Sequence, residues 1–387
     1  MIITVQKSTL LEKLVLAMGT VSNKNTITSI EGVLIETLGG NTVRISTYDM
    51  NKGIRATFEA ESVEEEGRYI INAQRLYQTV RVLPDDEIRI EVTDNLNCTI
   101  SSGKASFSNI SVLRGEEFPN LPDLVTDRGF DIKASLLKKV IGKVAHSVAE
   151  QDTRIFLCGA YFNIKRDEIE VVSCDSYTLS KCNIKYEVSS FSDDGRAEFS
   201  FIIPGHALSE LTKVLSEAEG DEELVKVYLS RKHIIINLPE IVFFTRTIDV
   251  DYMDYNRIIP QDNDIFVEVD RDRLLDGLER ANIIAEEKIQ GSGKSYVKII
   301  VEDQFLTLTS SSVNGRVCDE MDCAHEGGDI EIGFNCRYLI NSVKVAEGES
   351  IMISFKSPTR GIIIKPAKEN EEDTYLYMVL PIRMAEK

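Results

Sequence analysis

The segment IDVDYMD sets Asp249 and Asp251 on one face of an expected strand, with Asp254 just beyond. Three carboxylates at that spacing are a conceivable Mg2+ site for metal-assisted chemistry, although a solvated strand end accounts for the same residues. Gln290 to Tyr296 read QGSGKSY, which approaches a phosphate-binding loop, but the full pattern would need a glycine where Lys288 stands, and the segment follows a helix rather than a strand. Cys318, Cys323 and His325 lie close together in CDEMDCAH, yet a zinc site needs a fourth ligand and usually tighter cysteine spacing. None of the four histidines, His146, His206, His233 and His325, stands in a serine or cysteine nucleophile pattern. No catalytic residue, cofactor or resident metal is therefore assigned.

Charge points elsewhere. The chain has 387 residues with 44 Lys+Arg against 63 Asp+Glu, a formal net charge of −19. Unspecific attraction to a polyanion is not what such a balance gives. Yet KASLLKKVIGKVAHSVA, from Lys133 to Ala149, contains no acid at all. Its apolar positions, Leu136, Leu137, Val140, Ile141, Val144, Ala145 and Val148, follow the 3.6-residue period of a helix. The opposite face, with Lys138, Lys139, Gly142, Lys143, His146 and Ser147, is expected to look outward as a cationic surface. Gln74, Arg75, Gln78 and Arg81 form a second such face, and Asn335, Arg337, Asn341 and Lys344 a third. Cations with short neighbours and no interleaved aromatics suit contact with a phosphate backbone rather than with base edges.

These faces recur because the chain repeats. A double leucine opens a helix at Leu10 and Leu11, at Leu136 and Leu137, and at Leu274 and Leu275. Each is followed by a pair of alternating strands: GVLIETLGGNTVRISTYD, GAYFNIKRDEIEVVSCDS and VKIIVEDQFLTLTSSS. A second helix then recurs in YIINAQRLYQTVRVL, FIIPGHALSELTKVL and EIGFNCRYLINSVKV. The period is about 130 residues, far beyond a solenoid unit, so each repeat is a domain. Proline-bearing phrases close the first two, which sets the expected domains at 1–127, 128–260 and 261–387. Each reads as two helices packed on antiparallel sheets, an α+β domain. Seven scattered cysteines fit a reducing compartment, no export signal or run of about 18 apolar residues is present, and a cytoplasmic protein with no membrane partner is expected.

The last residues, TYLYMVLPIRMAEK, stay apolar almost to the end, so that Leu380 to Met384 read as an exposed docking tip beyond strand pairing. Together with the threefold repeat, the phrases EEFPNLPD, EQDTRIFLCG, DYNRIIP and VLPIRM resemble the bacterial DNA sliding clamp, the beta subunit of DNA polymerase III, over essentially the whole chain.

What the resemblance implies is a head-to-tail homodimer that closes six domains into a ring around double-stranded DNA, held without regard to sequence. It also implies a replicative DNA polymerase as partner, a clamp-loader ATPase that opens the ring, and other proteins bearing a clamp-binding motif. By position, the DNA-facing residues are Lys24, Arg75, Arg81, Lys138, Lys139, Gln151 and Arg154, to which the helix faces add Lys143 and Lys344. The partner-peptide pocket corresponds to Leu157, Cys174, Ser176, Tyr177, Thr178, Leu179, Met253, Ile258, Pro358, Leu380, Pro381, Ile382 and Arg383. Lys104 and Phe107 correspond to family positions that meet Ile283 and Ile284 of a second copy. The chain departs from the family in CDSYTL, where Gly, His and Arg are replaced by Ser176, Tyr177 and Thr178. Met253 and Ser106 stand for a family Pro and Arg, and a short tail, Ala385 to Lys387, is added. The reading outside this resemblance is a metal-dependent DNA-modifying enzyme built on Asp249, Asp251 and Asp254.

Overall fold

The structure is a computed structural model that describes residues 1–22, 27–84, 86–122, 128–192, 198–218, 220–230, 232–285, 296–313, 315–368, 370 and 372–384. Among the described residues six α-helices come two to a repeat: α1 (Lys7–Met18), α2 (Ala73–Val82), α3 (Ala134–Val144), α4 (Gly205–Leu215), α5 (Arg271–Ala285) and α6 (Cys336–Val345). Two of them start on the polar residue that the pattern puts before the apolar run. The Asn72 side chain accepts the Arg75 amide at the head of α2, and Asn335 accepts that of Arg337 at the head of α6. The strands alternate as read, for instance Ile265–Asp270 and Val297–Glu302, in which every second side chain is buried. The architecture is thus α+β, with helices on wholly antiparallel sheets. Among the described residues no helix is long and apolar enough to cross a membrane.

Two compact units emerge. The first comprises Met1–Lys138, Ser189–Ala197 and His206–Thr247. It holds a five-stranded sheet, with Ala105–Ser111 at one edge, and a ten-stranded sheet. The larger sheet is continuous from the first repeat into the second because Lys52–Glu59 pairs with Ile241–Arg246, from Thr245↔Lys52 to Ile241↔Ala56. At that joint Phe244 lies opposite Gly53, and a Cβ on Gly53 would stand 2.4 Å from the Phe244 ring and 2.7 Å from the Thr47 carbonyl. Phe244 in turn packs with Leu34, Tyr48, Ile70, Phe118 and Ile235.

The second unit comprises Lys139–Val188, Glu198–Gly205 and Ile248–Lys387. It holds a nine-stranded sheet and a four-stranded one with Arg316–Asp322 at its edge. Here Thr178–Lys185 pairs with Asp373–Val379, so the second and third repeats are joined by a ladder running from Thr178↔Val379 to Ile184↔Asp373. The middle repeat is divided between the units because each of its sheets is extended by a neighbouring repeat.

Candidate functional site

In the second unit, the sheet face away from α3 carries a buried apolar cluster of Leu157, Val172, Cys174, Leu179, Tyr255, Ile259, Ile363 and Met378, with Met253, Phe156 and Leu376 packed on it. Register explains the grouping. Cys174 pairs with Leu179 and Leu179 with Met378, and residues opposite one another in neighbouring strands share a face. The same alternation turns Thr178 away: it is buried and its hydroxyl donates to Ser147 at 2.9 Å on the helix side, so its assignment to the pocket is corrected. Pro358 is also outside the cluster, exposed on the turn after Ser350–Phe355.

Next to cluster segments along the chain stand exposed apolar side chains that form a rim, Ile155, Tyr177, Ile258 and Leu380, which are 52, 57, 45 and 36% exposed. Ile155 carries no periodic signal in the sequence, and neither does Tyr338, whose ring stacks on Tyr177 with centroids 5.6 Å apart. The chain segment under the rim is held by hydrogen bonds. The Asp175 carboxylate accepts the amides of Tyr177 at 2.9 Å and Thr178 at 2.6 Å, and Ser176 takes a positive φ of 79°. Expected beyond strand pairing, the C-terminal residues are instead tied down: the Leu380 amide donates to the Tyr177 carbonyl at 2.8 Å, and that of Ile382 to Gly333 at 2.9 Å. Pro381 and Ile382 are half-buried, and Arg383 is exposed.

The segment under Tyr255 is locked from below. Buried Glu170 accepts a short hydrogen bond from the Tyr255 hydroxyl and pairs with Lys181 at 2.6 Å, while the Lys181 ammonium sits 5.3 Å from the Tyr255 ring centroid. Burial, reinforced by Glu170, pushes the Tyr255 phenol far up from its ordinary pKa.

The nine residues assigned to DNA divide by environment. Arg75, Arg81, Lys138 and Gln151 are exposed, and Arg81 covers the ring of Tyr77 at 5.9 Å. Four others are engaged within the chain. Lys139 pairs with Asp373 at 2.7 Å, Lys344 with Glu279 at 2.9 Å, and Lys143 donates to the Val345 carbonyl at 2.6 Å and pairs with Glu347 at 3.0 Å. Arg154 grips Asp152 through two nitrogens and also donates to the Ser176 hydroxyl at 2.5 Å. Its guanidinium holds the Asp152 carboxyl down at about 2. Lys24 lies outside the described residues.

The expected outward face is corrected just beyond α3, in the 3-10 turn Ala145–Ser147. His146 meets the Ser180 hydroxyl at 3.1 Å and the Tyr377 ring, and burial lowers its pKa to about 4. Ser147 is fully buried.

Lys104 and Phe107 stand on or beside the edge strand Ala105–Ser111, Phe107 being 42% exposed. Ile283 is 71% exposed in the last turn of α5, and Ile284 half-buried. The edge strand Arg316–Asp322, which sequence reading did not single out, packs beside α5 and carries Asp319 between Arg273 and Arg280.

The chemical alternatives find no geometry. Residues 247–254 are irregular, not the strand that was to align Asp249 with Asp251, and Asp254 pairs with Arg257 at 2.8 Å. His325 is held between the carbonyls of Asp303 and Gly328. Among the described residues no three His, Cys, Asp or Glu could hold a metal ion, and Gln290 to Ser295 lie outside them.

Compared with known families, residues 1–122, 131–254 and 256–383 match the N-terminal, central and C-terminal domains of the DNA polymerase III beta subunit. The beta sliding clamp of Bacillus subtilis (strain 168) is 26% identical over 394 residues, spanning 98% of this chain and 99% of that protein. The crystal structure of the Bacillus subtilis DNA polymerase sliding clamp superposes with a TM-score of 0.87 at 26% identity, covering 100% of both chains. That of the Bartonella birtlesii sliding clamp bound to griselimycin does so with a TM-score of 0.88 at 27% identity, covering 99% of this chain and 100% of that one.

Proposed function

Because the chain belongs to the bacterial DNA sliding clamps, the beta subunits of DNA polymerase III, it is a non-catalytic processivity factor of DNA replication, and we propose how its own residues serve that role. Two copies associate head to tail. The carrying observation is a pair of unlike sheet edges, Ala105–Ser111 and Arg316–Asp322, each the last strand of its sheet among the described residues. The first is flanked by Lys104 and exposes Phe107, and the second carries Asp319, Glu320 and Asp322 beside the exposed Ile283 and its neighbour Ile284. An edge of one kind meeting the other makes a heterologous contact, and two such contacts that close give a ring.

In that ring the three repeats act as domains 1–127, 128–260 and 261–387. Arg75, Arg81, Lys138 and Gln151 face the phosphates of the enclosed duplex, with Lys139, Lys143, Arg154 and Lys344 near it. Topology rather than affinity retains DNA, so a net charge of −19 is no obstacle. The apolar cluster and its rim take short segments of the replicative polymerase and of other clamp-binding proteins. A clamp-loader ATPase supplies the opening step in the cytoplasm.

Sedimentation with nicked circular DNA tests this reading. Protein loaded on circles should stay bound and be released when the circles are linearised, whereas equal retention on both forms would overturn the ring.

A further inference from the structure

The connector between the second and third repeats supplies part of the apolar cluster. Tyr255 and Ile259 belong to the cluster and Met253 packs on it, while Ile258 beside them is exposed. Residues 247–254 are irregular, and Tyr255–Arg257 make a single 3-10 turn. Backbone bonds within the turn are short in reach: the Tyr255 amide donates to the Met253 carbonyl at 2.9 Å, that of Arg257 to Asp254 at 3.4 Å and that of Ile258 to Tyr255 at 3.2 Å. Tyr252 stacks on Tyr161 with centroids 5.0 Å apart and meets Phe156 edge-on. Apolar burial is non-directional, so it does not fix where along the sheet the connector sits.

A polar tie supplies the direction. Glu170 precedes Val172 by two residues, Val172 pairs with Lys181 and Cys174 with Leu179, so Glu170 and Lys181 share the sheet face that carries the cluster. Glu170 is 8% exposed, accepts the short hydrogen bond from the Tyr255 hydroxyl and pairs with Lys181 at 2.6 Å. The Lys181 ammonium also sits 5.3 Å from the Tyr255 ring centroid, so both charges of the pair engage one residue of the connector. Well-packed apolar side chains of similar volume would serve stability as well as a buried ion pair does. What the ionic arrangement adds is geometry: the phenol must point at one carboxylate, and the turn that it belongs to leads directly into Ile258 and Ile259.

We propose that Glu170, held by Lys181, is a positioning residue for partner binding: it fixes Tyr255, and Tyr255 fixes Ile258 and Ile259 where a partner segment meets them. The inference rests on the reading of the cluster as the partner-peptide pocket. Glu170 acts through Tyr255 and not by touching the partner.

The test uses fluorescein-labelled short peptides tiling the replicative polymerase of the same genome, titrated by anisotropy against the full chain. With the tightest binder, Y255F and E170Q should each weaken binding about three- to tenfold, as when the seated connector falls to between about a third and a tenth of the population. The double variant should bind no more weakly than the weaker single one, because both changes break the same tie. Amide hydrogen exchange should quicken across residues 252–259 in both variants and stay unchanged across 168–174. Three results would each overturn the positioning role while I258D still abolishes binding and the pocket stands: losses that add in the double variant, unchanged affinity in both single variants despite lower urea midpoints, or unchanged exchange across 252–259. No binding to the unaltered chain, or binding indifferent to I258D, would overturn the pocket itself and the positioning role with it.

Discussion

At Ser176 a non-glycine residue holds a left-handed φ of 79°, a conformation that costs an ordinary residue about 1–2 kcal/mol. Its hydroxyl is what Arg154 holds, so strain and hydrogen bond oppose each other. S176G should therefore leave stability unchanged or raise it by up to about 1 kcal/mol, while S176A, which keeps the strain and loses the bond, should lower it by about 1 kcal/mol. Urea midpoints measure both. His146 sets a pH dependence. Its folded pKa of about 4 lies below the ordinary 6.5, so the unfolded chain takes up the proton first as pH falls. Stability is complete above about pH 6.5 and is lost toward pH 4, by on the order of 3 kcal/mol. H146Q should flatten the urea midpoint over that window, and an unchanged slope would show that His146 is not the group. The replacement of glycine by Ser176 was legible in the sequence beside the family pattern. The diversion of Arg154 to it was not, since their approach depends on how two separate segments fold.

Among the elements, α3 shows what pattern can and cannot carry. A 3.6-residue stripe identifies the apolar face, and an alternating strand likewise identifies its buried side, which is why the six helices and their strand pairs could be read directly. Neither pattern says whether a polar face meets water or a polar neighbour. Lys143 finds the Val345 carbonyl and Glu347 some two hundred positions along the chain, and no local signal announces them. The two joining ladders are equally non-local: Gly53 reads as a plain strand glycine until Phe244 arrives across it. The consequence is a division of labour along one helix. K143A should lower unfolding stability by about 1 kcal/mol, because it removes the bond to the Val345 carbonyl and the closer of two cations from Glu347, leaving them the Tyr377 hydroxyl and Lys139. K138A, at an exposed position, should stay within about 0.5 kcal/mol of the unaltered chain. On DNA the order reverses: K138E should impair loading onto nicked circles at low salt while the urea midpoint holds. Equal destabilisation by both alanine variants would refute this division.

For the whole molecule, the threefold period was plain in the sequence, whereas closure depends on edges that become defined only once the sheets are built. Phe107 and Ile283 are exposed in the isolated chain, so F107D and I283D should each fold normally by circular dichroism. A carboxylate placed in a desolvated contact has no partner there, and the cost of burying it exceeds what a small apolar interface supplies. Each variant should therefore sediment as a monomer at concentrations where the unaltered chain is a dimer, and should lose its hold on nicked circles. Retention on circles by the unaltered chain should also change little between about 0.05 and 0.2 M salt, since a closed ring does not depend on phosphate contacts, whereas binding governed by those contacts would fall by orders of magnitude over that range. A monomeric variant that still survives salt on circular DNA would separate retention from closure and remove the basis for the ring.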